Sequence, residues 1–227
     1  MTLFADAGRV LVIAPHPDDE ILGCGGTIAR LTDAGHEVQV AIVTRGQAPR
    51  FTTEAVDQVR GEARAAHDML GVVRTHWLDF PAAELDTVPQ VDLNQALADL
   101  IAAVAPDTVF LPFVGDIHVD HQRVFQSSMV AMRPRTEIYP TRILAYETLS
   151  ETNWSAPCAA APFVPNVSID IGAALDRKLA AFQCFRSQQT AFPHERSIEA
   201  IEALARLRGA TVHRRAAEAF LLIREVV

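Results

Sequence analysis

The sequence predicts an α/β protein with a mostly parallel sheet. Short apolar runs alternate with stretches of helical periodicity from residue 9 onward, an order typical of parallel strands joined by right-handed crossovers. The chain has 227 residues, of which 49% are hydrophobic, so it can form one sizeable core. Two of the apolar runs end in polar clusters, and ligands bind at the carboxyl ends of strands in such sheets. We therefore expect a single domain over residues 1–227 with a site at that edge.

The first half of the chain contains four predicted strands and three predicted helices. Apolar runs predict strands at 9–14, 37–44, 73–78 and 108–113. Helical spacing predicts helices at 25–35, 53–70 and 91–104, and Gly35 and Gly71 end the first two.

The last third is less regular. Strands are predicted at 142–147 and 220–226, and helices at 176–186 and 197–208. A long loop is predicted at 148–165, where three prolines occur.

The segment from Ala14 to Glu20 directly follows the first strand and carries one histidine and three carboxylates. Ionisable groups this close repel one another and destabilise the fold unless a cation lies among them. A turn after the strand can direct His16 and Asp19 at one divalent metal ion. Asp18, beside them, has the chemistry of a general base.

A second polar cluster, residues 115–122, follows the strand at 108–113. His121 completes the proposed ligand set of His16, Asp19 and His121. Two histidines and one carboxylate with an open position are typical of catalytic zinc, but non-haem iron accepts the same set. If a helix begins near residue 118, His118 faces the same way as His121 and can reach substrate. There it can either stabilise the developing oxyanion or protonate the leaving amine. Asp120 is placed to orient one of the histidines.

Charge and cysteine usage narrow the possible partners and compartment. The net charge is −8 and no run of Lys or Arg is present, so we expect no nucleic-acid partner. The three cysteines are scattered and odd in number, which indicates a reducing compartment. Neither a signal peptide nor a run of about 18 apolar residues is recognisable, so we expect a cytoplasmic protein without a membrane span.

The Gly-rich segment at 23–26 has one alternative interpretation, a dinucleotide-binding loop. It lacks the full glycine spacing, and the preceding carboxylates would repel a pyrophosphate. We therefore favour the metal site.

The chain resembles the LmbE/PIG-L family of zinc-dependent N-deacetylases. The resemblance depends on the two polar clusters, Pro15-His16-Pro17-Asp18-Asp19-Glu20 and Gly115-Asp116-Ile117-His118-Val119-Asp120-His121. Weaker similarities, including Leu70-Gly71-Val72, Phe80-Pro81 and Ala217-Glu218-Ala219-Phe220, extend it over nearly the whole chain.

The resemblance implies a Rossmann-like three-layer fold and a role for each site residue. Zn²⁺ is bound by His16, Asp19 and His121. Asp18 is the general base that takes a proton from a metal-activated water as the water attacks the amide. His118 assists at the tetrahedral intermediate and is oriented by Asp120.

The implied substrate is a small amino sugar, an N-acetylglucosamine unit carried on another group. Arg60 resembles a family arginine that contacts the sugar or the attached group; the alternative is a solvated arginine on a helix face. Many relatives carry a sugar-binding Asp just after Phe-Pro, where this chain has Ala82-Ala83, with Glu84 and Asp86 beyond. Homo-oligomers, often trimers or hexamers, are also typical of the relatives.

Two other functions are compatible with these residues. One is an amidase or lyase that acts on a thiol or amine conjugate of the mycothiol type. The other is a non-catalytic carbohydrate-binding protein on the same fold, which would have no need for both Asp18 and His118.

Overall fold

A computed structural model describes residues 7–135, 137–158 and 160–227. The expectation about a signal peptide concerns residues 1–6, which lie outside this part. Among the described residues, seven strands form one sheet: β1 (Val10–Ala14), β2 (Val38–Arg45), β3 (Arg74–Pro81), β4 (Thr108–Pro112), β5 (Arg142–Tyr146), β6 (Val167–Asp170) and β7 (Ala217–Glu225). The helices are α1 (Asp19–Asp33), α2 (Thr53–Leu70), α3 (Gln90–Val104), α4 (Val119–Ala131), α5 (Leu175–Gln183) and α6 (Ile198–Ala210), with short 3₁₀ helices at Leu85–Thr87 and Thr152–Trp154.

The strand order is β3-β2-β1-β4-β5-β7-β6. Strands β1 to β5 are parallel, and β7 pairs antiparallel with both β5 and β6. This confirms the predicted α/β fold with a mostly parallel sheet. The order reverses between β1 and β4, and a crevice opens at such a reversal at the carboxyl ends of the strands.

Helices cover both faces of the sheet, which gives three layers. One core cluster joins the sheet to α1, α2, α5 and α6, and the other joins it to α3 and α4. Because β1 is central and covered on both sides, all five of its residues are buried. Parallel strands buried in this way carry continuous apolar runs, which is why β1 and β4 are easily read from sequence.

The first helix corrects one prediction: it begins at Asp19, not at residue 25. The Gly-rich segment therefore lies inside α1, and it does not form the loop that dinucleotide binding requires. Glycine lowers helix propensity, which is why sequence favoured a later start. A Cβ on Gly23 would lie 2.3 Å from the ring of Tyr146. The glycine thus permits close packing of α1 on β5, where the Tyr146 hydroxyl donates to the Ile13 carbonyl at 2.9 Å.

Most other boundaries agree with the sequence to within a few residues. Helix α2 spans residues 53–70 as predicted, and Gly71 ends it with a φ of 78°. Helix α5 ends at Gln183, three residues before the predicted end. Strand β6 was not predicted, because four residues after a proline-containing loop give too short a pattern. In the described residues, no helix combines the length and the apolar character needed to cross a membrane.

A buried ion pair joins α1, α5 and β7. The Glu218 carboxylate accepts hydrogen bonds from the Gly26 and Thr27 amides at 2.9 and 2.7 Å and pairs with Lys178 Nζ at 2.5 Å. Lys178 also donates to the Leu22 carbonyl at 2.8 Å. Both charged side chains are only 4% exposed.

We predict that Glu218→Gln destabilises the fold by about 3–5 kcal/mol, because it leaves the Lys178 charge buried without its counter-ion. Urea unfolding followed by circular dichroism measures the change. Glu202→Gln, which breaks the more exposed pair of Glu202 with Arg206, is the matched control and should cost less than about 1 kcal/mol. Equal losses in the free energy of unfolding would show that the buried pair stabilises the fold no more than the exposed pair does.

Candidate active site

The two polar clusters meet at the reversal of strand order. The first follows β1, where His16 lies in the connecting turn and Asp19 is the first residue of α1. The second follows β4, where His118 is the N-cap of α4 and His121 lies in its first turn. Because β1 and β4 are neighbours, residues about a hundred positions apart face one another.

His16, Asp19 and His121 form the candidate metal centre. One ligand atom from each lies within 4.8 Å of the other two. Asp19 Oδ2 lies 3.3 Å from His16 Nδ1 and 3.2 Å from His121 Nε2. The structure thus brings together the three residues that the sequence predicted as ligands.

The donor set fits a metal ion. Asp19 Oδ1 and His121 Nε2 are buried and make no hydrogen bond within the described part of the chain. Asp116 Oδ2 lies 2.8 Å from His121 Nδ1 and accepts a hydrogen bond from it, so in the neutral ring Nε2 carries the lone pair and faces Asp19. Thr152 donates to the other Asp116 oxygen at 2.6 Å and fixes the carboxylate. Buried atoms left unpaired in this way are what a bound cation satisfies.

The second histidine also has a carboxylate on its outer nitrogen. Asp120 Oδ2 lies 2.9 Å from His16 Nε2, while Nδ1 of the same ring faces Asp19. The Asp120 carboxylate is held by the amides of Ala83 and Leu85 at 2.7 and 3.1 Å. It therefore orients His16 and not His118, which differs from the arrangement that the resemblance implied.

The pKa values show that this cluster attracts positive charge. Burial lowers the pKa of His121, but Asp19 and Asp116 outweigh burial and raise it to about 10. Burial likewise lowers the pKa of His16, and Asp120 and Asp19 raise it to about 9. Burial raises the pKa of Asp19, yet the two histidines bring it well below its usual value. A divalent cation among these groups supplies the same positive charge without requiring protons.

Asp18 lies beside the metal centre in an unusual conformation. Its φ of 117° is in the left-handed region that non-glycine residues rarely adopt. Arg196 Nη1 donates to its Oδ2 at 2.8 Å, while Oδ1 is buried and makes no hydrogen bond within the described residues. Burial raises the pKa of Asp18 to about 8, although the Arg196 charge opposes the rise.

A series of hydrogen-bonded polar side chains connects the backbone at Asp18 to α2 and β3. The Asp18 amide donates to Glu20 Oε2 at 3.1 Å, and Glu20 Oε1 lies 3.0 Å from His67 Nε2. His67 Nδ1 in turn lies 2.7 Å from the Thr75 hydroxyl on β3. Both nitrogens of His67 thus have a partner within the protein, and Glu20 supports the backbone at Asp18.

His118 lies near the candidate metal ligands but is not part of the set formed by His16, Asp19 and His121; its nearest ligand-type neighbours are His16 and Asp120. Its ring centroid is 4.6 Å from that of His16. Its Nδ1 accepts a hydrogen bond from the Asp120 amide at 3.1 Å, so a neutral ring carries its proton on Nε2. Burial, followed by the charge of His16, lowers the pKa of His118 to about 4.

A cavity of about 430 Å³ opens beside these groups. His16, Asp18 and His118 form its inner end. Ala82 and Ala83 also line it, but Glu84 and Asp86 do not, so neither of these acids replaces the missing family Asp on the cavity wall.

Arg60 lines the same cavity from α2. Its side chain is 16% exposed, forms an ion pair with Asp79 and lies 4.7 Å from the centroid of the Trp77 ring. It is therefore not a solvated arginine on a helix face. Contact with substrate stays a prediction that this position supports.

Sequence reasoning missed two residues of the site. Asp116 was part of the second cluster but received no role, and its spacing from His121 was the available signal. Arg196 comes from the segment between α5 and α6. Its guanidinium also donates to Gln188 Oε1 in the same segment and to Ser150 Oγ after β5, each at 3.2 Å. No local pattern marks Arg196, because its role depends on a partner 178 positions away.

A protein-family model described as PIG-L, GlcNAc-PI de-N-acetylase, matches residues 11–132, more than half of the chain and both polar clusters. The chain belongs to the PIG-L family. The uncharacterized deacetylase YaiS of Escherichia coli K12 is 36% identical over 149 residues, covering 62% of this chain and 74% of that one. The 1D-myo-inositol 2-acetamido-2-deoxy-alpha-D-glucopyranoside deacetylase of Mycobacteroides abscessus is 30% identical over 230 residues, covering 80% and 82%.

Solved structures show the same fold over the full length of the chain. The conserved protein TT1542 of Thermus thermophilus superimposes with a TM-score of 0.79 at 29% identity, covering 96% of each chain. The N,N'-diacetylchitobiose deacetylase of Pyrococcus horikoshii, complexed with an inhibitor, gives a TM-score of 0.75 at 26% identity and covers 97% of this chain and 85% of that one. These matches confirm the three-layer fold and the family.

We predict that Asp116→Asn weakens metal binding by roughly 10–100-fold, because an amide is a weaker acceptor for the Nδ1 proton of His121 and can reverse its tautomer. Competition with a chromophoric chelator measures the affinity. Asp68→Asn, a change of the same kind at an exposed position on α2, should leave the affinity unaltered. Unchanged affinity in Asp116→Asn would show that Asp116 does not set the ring of His121.

Proposed function

We propose that this protein is a zinc-dependent hydrolase that removes the N-acetyl group from an N-acetylglucosamine unit carried on a second group. The observation that carries the proposal is the free Oδ1 of Asp18, which lies beside the candidate metal ligands at the inner end of an open cavity. Membership of the PIG-L family supports the reaction class. The named relatives support the sugar, since two of them are deacetylases of acetylated glucosamine derivatives.

His16, Asp19 and His121 hold the metal in this proposal. We assign zinc because two histidines and one carboxylate leave a coordination position open, as catalytic zinc sites do. When bound, the metal polarises a carbonyl oxygen and acidifies water. The carboxylates of Asp120 and Asp116 keep both histidines in the tautomers that metal binding requires.

Asp18 is the general base. Arg196 occupies Oδ2, so Oδ1 is the oxygen that can take a proton from the attacking water. Desolvation raises the pKa of Asp18 and with it the basicity of the carboxylate, and the positive charge of Arg196 opposes the rise, which favours the ionised form. Arg196 therefore acts as a positioning residue through Asp18.

His118 stabilises the oxyanion of the tetrahedral intermediate. The Asp120 amide occupies its Nδ1, which leaves the Nε2 proton as the donor that a developing negative charge needs. The lowered pKa keeps the ring neutral at neutral pH. This geometry favours oxyanion stabilisation over the second role that sequence allowed, proton donation to the leaving amine.

The functional test is acetate release from N-acetylglucosamine, N,N'-diacetylchitobiose and an N-acetylglucosaminyl inositol. We expect release from at least one, loss after chelation, and recovery with about one equivalent of Zn²⁺. Cleavage of a mycothiol-type thiol conjugate without acetate release from any sugar would favour the amidase alternative. Sugar binding without any hydrolysis would favour the non-catalytic one. Cytoplasmic location and a trimeric or hexameric assembly stay predictions.

The roles of Asp18 and Arg196 can be tested together in a double-mutant cycle. We predict that Asp18→Asn keeps the metal and lowers kcat by roughly 10²–10⁴-fold, as loss of a general base does. Arg196→Met should lower kcat by roughly 10–100-fold in the wild-type background. In the Asp18→Asn background its effect should nearly vanish, because a residue that acts through another has nothing left to position.

Arg206→Met removes an arginine from an exposed pair on α6 and serves as the control, with expected kcat close to wild type. Equal losses from Arg196→Met in both backgrounds would mean that Arg196 acts independently of Asp18. Activity of Asp18→Asn within a few-fold of wild type would place the base elsewhere.

A further inference from the structure

The cavity continues outward from the metal centre along β2 and the start of α2. Its outer wall is formed by Arg45 and Gly46 at the end of β2, by Phe51, and by Val56 and neighbouring residues of α2. These four residues also line an adjoining space of about 250 Å³ that reaches Asp79. A substrate whose acetamido group lies at the metal centre therefore has room to extend a second group toward Arg45.

Charge is distributed unevenly along this cavity. The two carboxylates that line it, Asp18 and Glu151, both lie beside Arg196, at 2.8 and 3.9 Å. Arg60, the next arginine along the wall, is paired with Asp79. Arg45 is half-buried, and its side chain has no hydrogen bond or ion pair within the described part of the chain. The inner end thus contains charges of both signs paired with one another, and Arg45 at the outer end is a cation without a paired counter-ion among the described residues.

Neighbouring arginines reinforce this imbalance. Burial lowers the pKa of Arg60, and the charges of Arg45 and Arg64 lower it further, so positive charge on both neighbours acts on Arg60. This local excess of arginine contrasts with the chain as a whole, whose net charge is −8. A half-buried guanidinium among like charges is stabilised by an anion, and its planar donors match a carboxylate or a phosphate.

We propose that the group attached to the sugar carries an anion, a carboxylate or a phosphate, which Arg45 binds at the outer end of the cavity. This inference rests on the proposed function for the sugar part of the substrate only. The apolar side chains of Phe51 and Val56 beside Arg45 reduce competition from water and strengthen the pairing. A cationic attached group is disfavoured at the same place by like-charge repulsion.

The test uses glycosides of N-acetylglucosamine that differ in charge and little in size. The carboxymethyl glycoside, its carboxamide and the 2-aminoethyl glycoside provide anionic, neutral and cationic groups, and a 2-phosphoethyl glycoside separates phosphate from carboxylate. We expect kcat/KM of the zinc-loaded enzyme to be roughly 10–100-fold higher for the better anion than for the carboxamide, the range of a hydrogen bond to a charged group. The cationic glycoside should be the poorest substrate.

Variants connect this preference to Arg45. In Arg45→Met the ratio of kcat/KM for the anionic over the neutral glycoside should fall toward 1, and Arg45→Lys should restore part of it. Arg50→Met is the matched control, because Arg50 is 55% exposed, pairs with Glu84 and does not line the cavity; it should keep the wild-type ratio. A wild-type ratio of 1 or less, or a ratio unchanged in Arg45→Met, would overturn the inference.

A binding measurement separates this inference from the proposed reaction. Calorimetric titration of the deacetylated carboxymethyl glycoside and its carboxamide should show tighter binding of the acid to wild type and no such difference in Arg45→Met. If the binding preference is present but no glycoside releases acetate, the anion site stands and the deacetylase function is wrong. If acetate is released from all glycosides without preference in rate or binding, the function stands and the anion site is wrong.

Discussion

Five buried carboxylates crowd around one point of this molecule, and the arrangement of the site follows from the need to compensate them. Four of them have a partner of their own. The pairs are Asp116 with His121, Asp120 with His16, Glu20 with His67, and Asp18 with Arg196. Asp19 instead shares its Oδ2 between two histidine rings, and its Oδ1 makes no hydrogen bond within the described residues. The candidate metal centre is therefore a place where the described side chains alone leave a buried carboxylate oxygen unpaired.

The sheet and the surrounding segments contribute to the site in different ways. The segments that follow β1 and β4 supply the candidate ligands, the proposed base and the proposed oxyanion donor. Both strands are central in the sheet and covered on both faces. The outer cavity is formed by the end of β2, by Phe51 and by the first turns of α2. Loops on a rigid scaffold vary more freely than the strands that position them. Relatives with this fold can in this way keep the same strand-end residues while the group attached to the sugar differs.

Much of the fold, and the juxtaposition of the residues proposed as metal ligands, could be predicted from the sequence, because both depend on local patterns. The buried runs of β1 and β4 and the clusters that follow them are contiguous, so His16, Asp19 and His121 could be expected to lie close together without coordinates. The start of α1 was missed because close packing of Gly23 on Tyr146 overrides helix propensity. The pairing of Asp120 with His16 and of Arg196 with Asp18 joins residues 104 and 178 positions apart, and no spacing rule encodes such contacts.

The backbone at Asp18 has a consequence for how stability and activity are balanced in this protein. A φ of 117° costs a residue with a side chain of order 1–3 kcal/mol, whereas glycine adopts it freely. Glu20 and His67 offset part of that cost from within the core. Glycine would relax the backbone here, but it would also remove the Asp18 carboxylate. Selection for stability alone would favour glycine at this position. The retention of a strained aspartate is therefore evidence that its carboxylate has a function other than stabilising the fold.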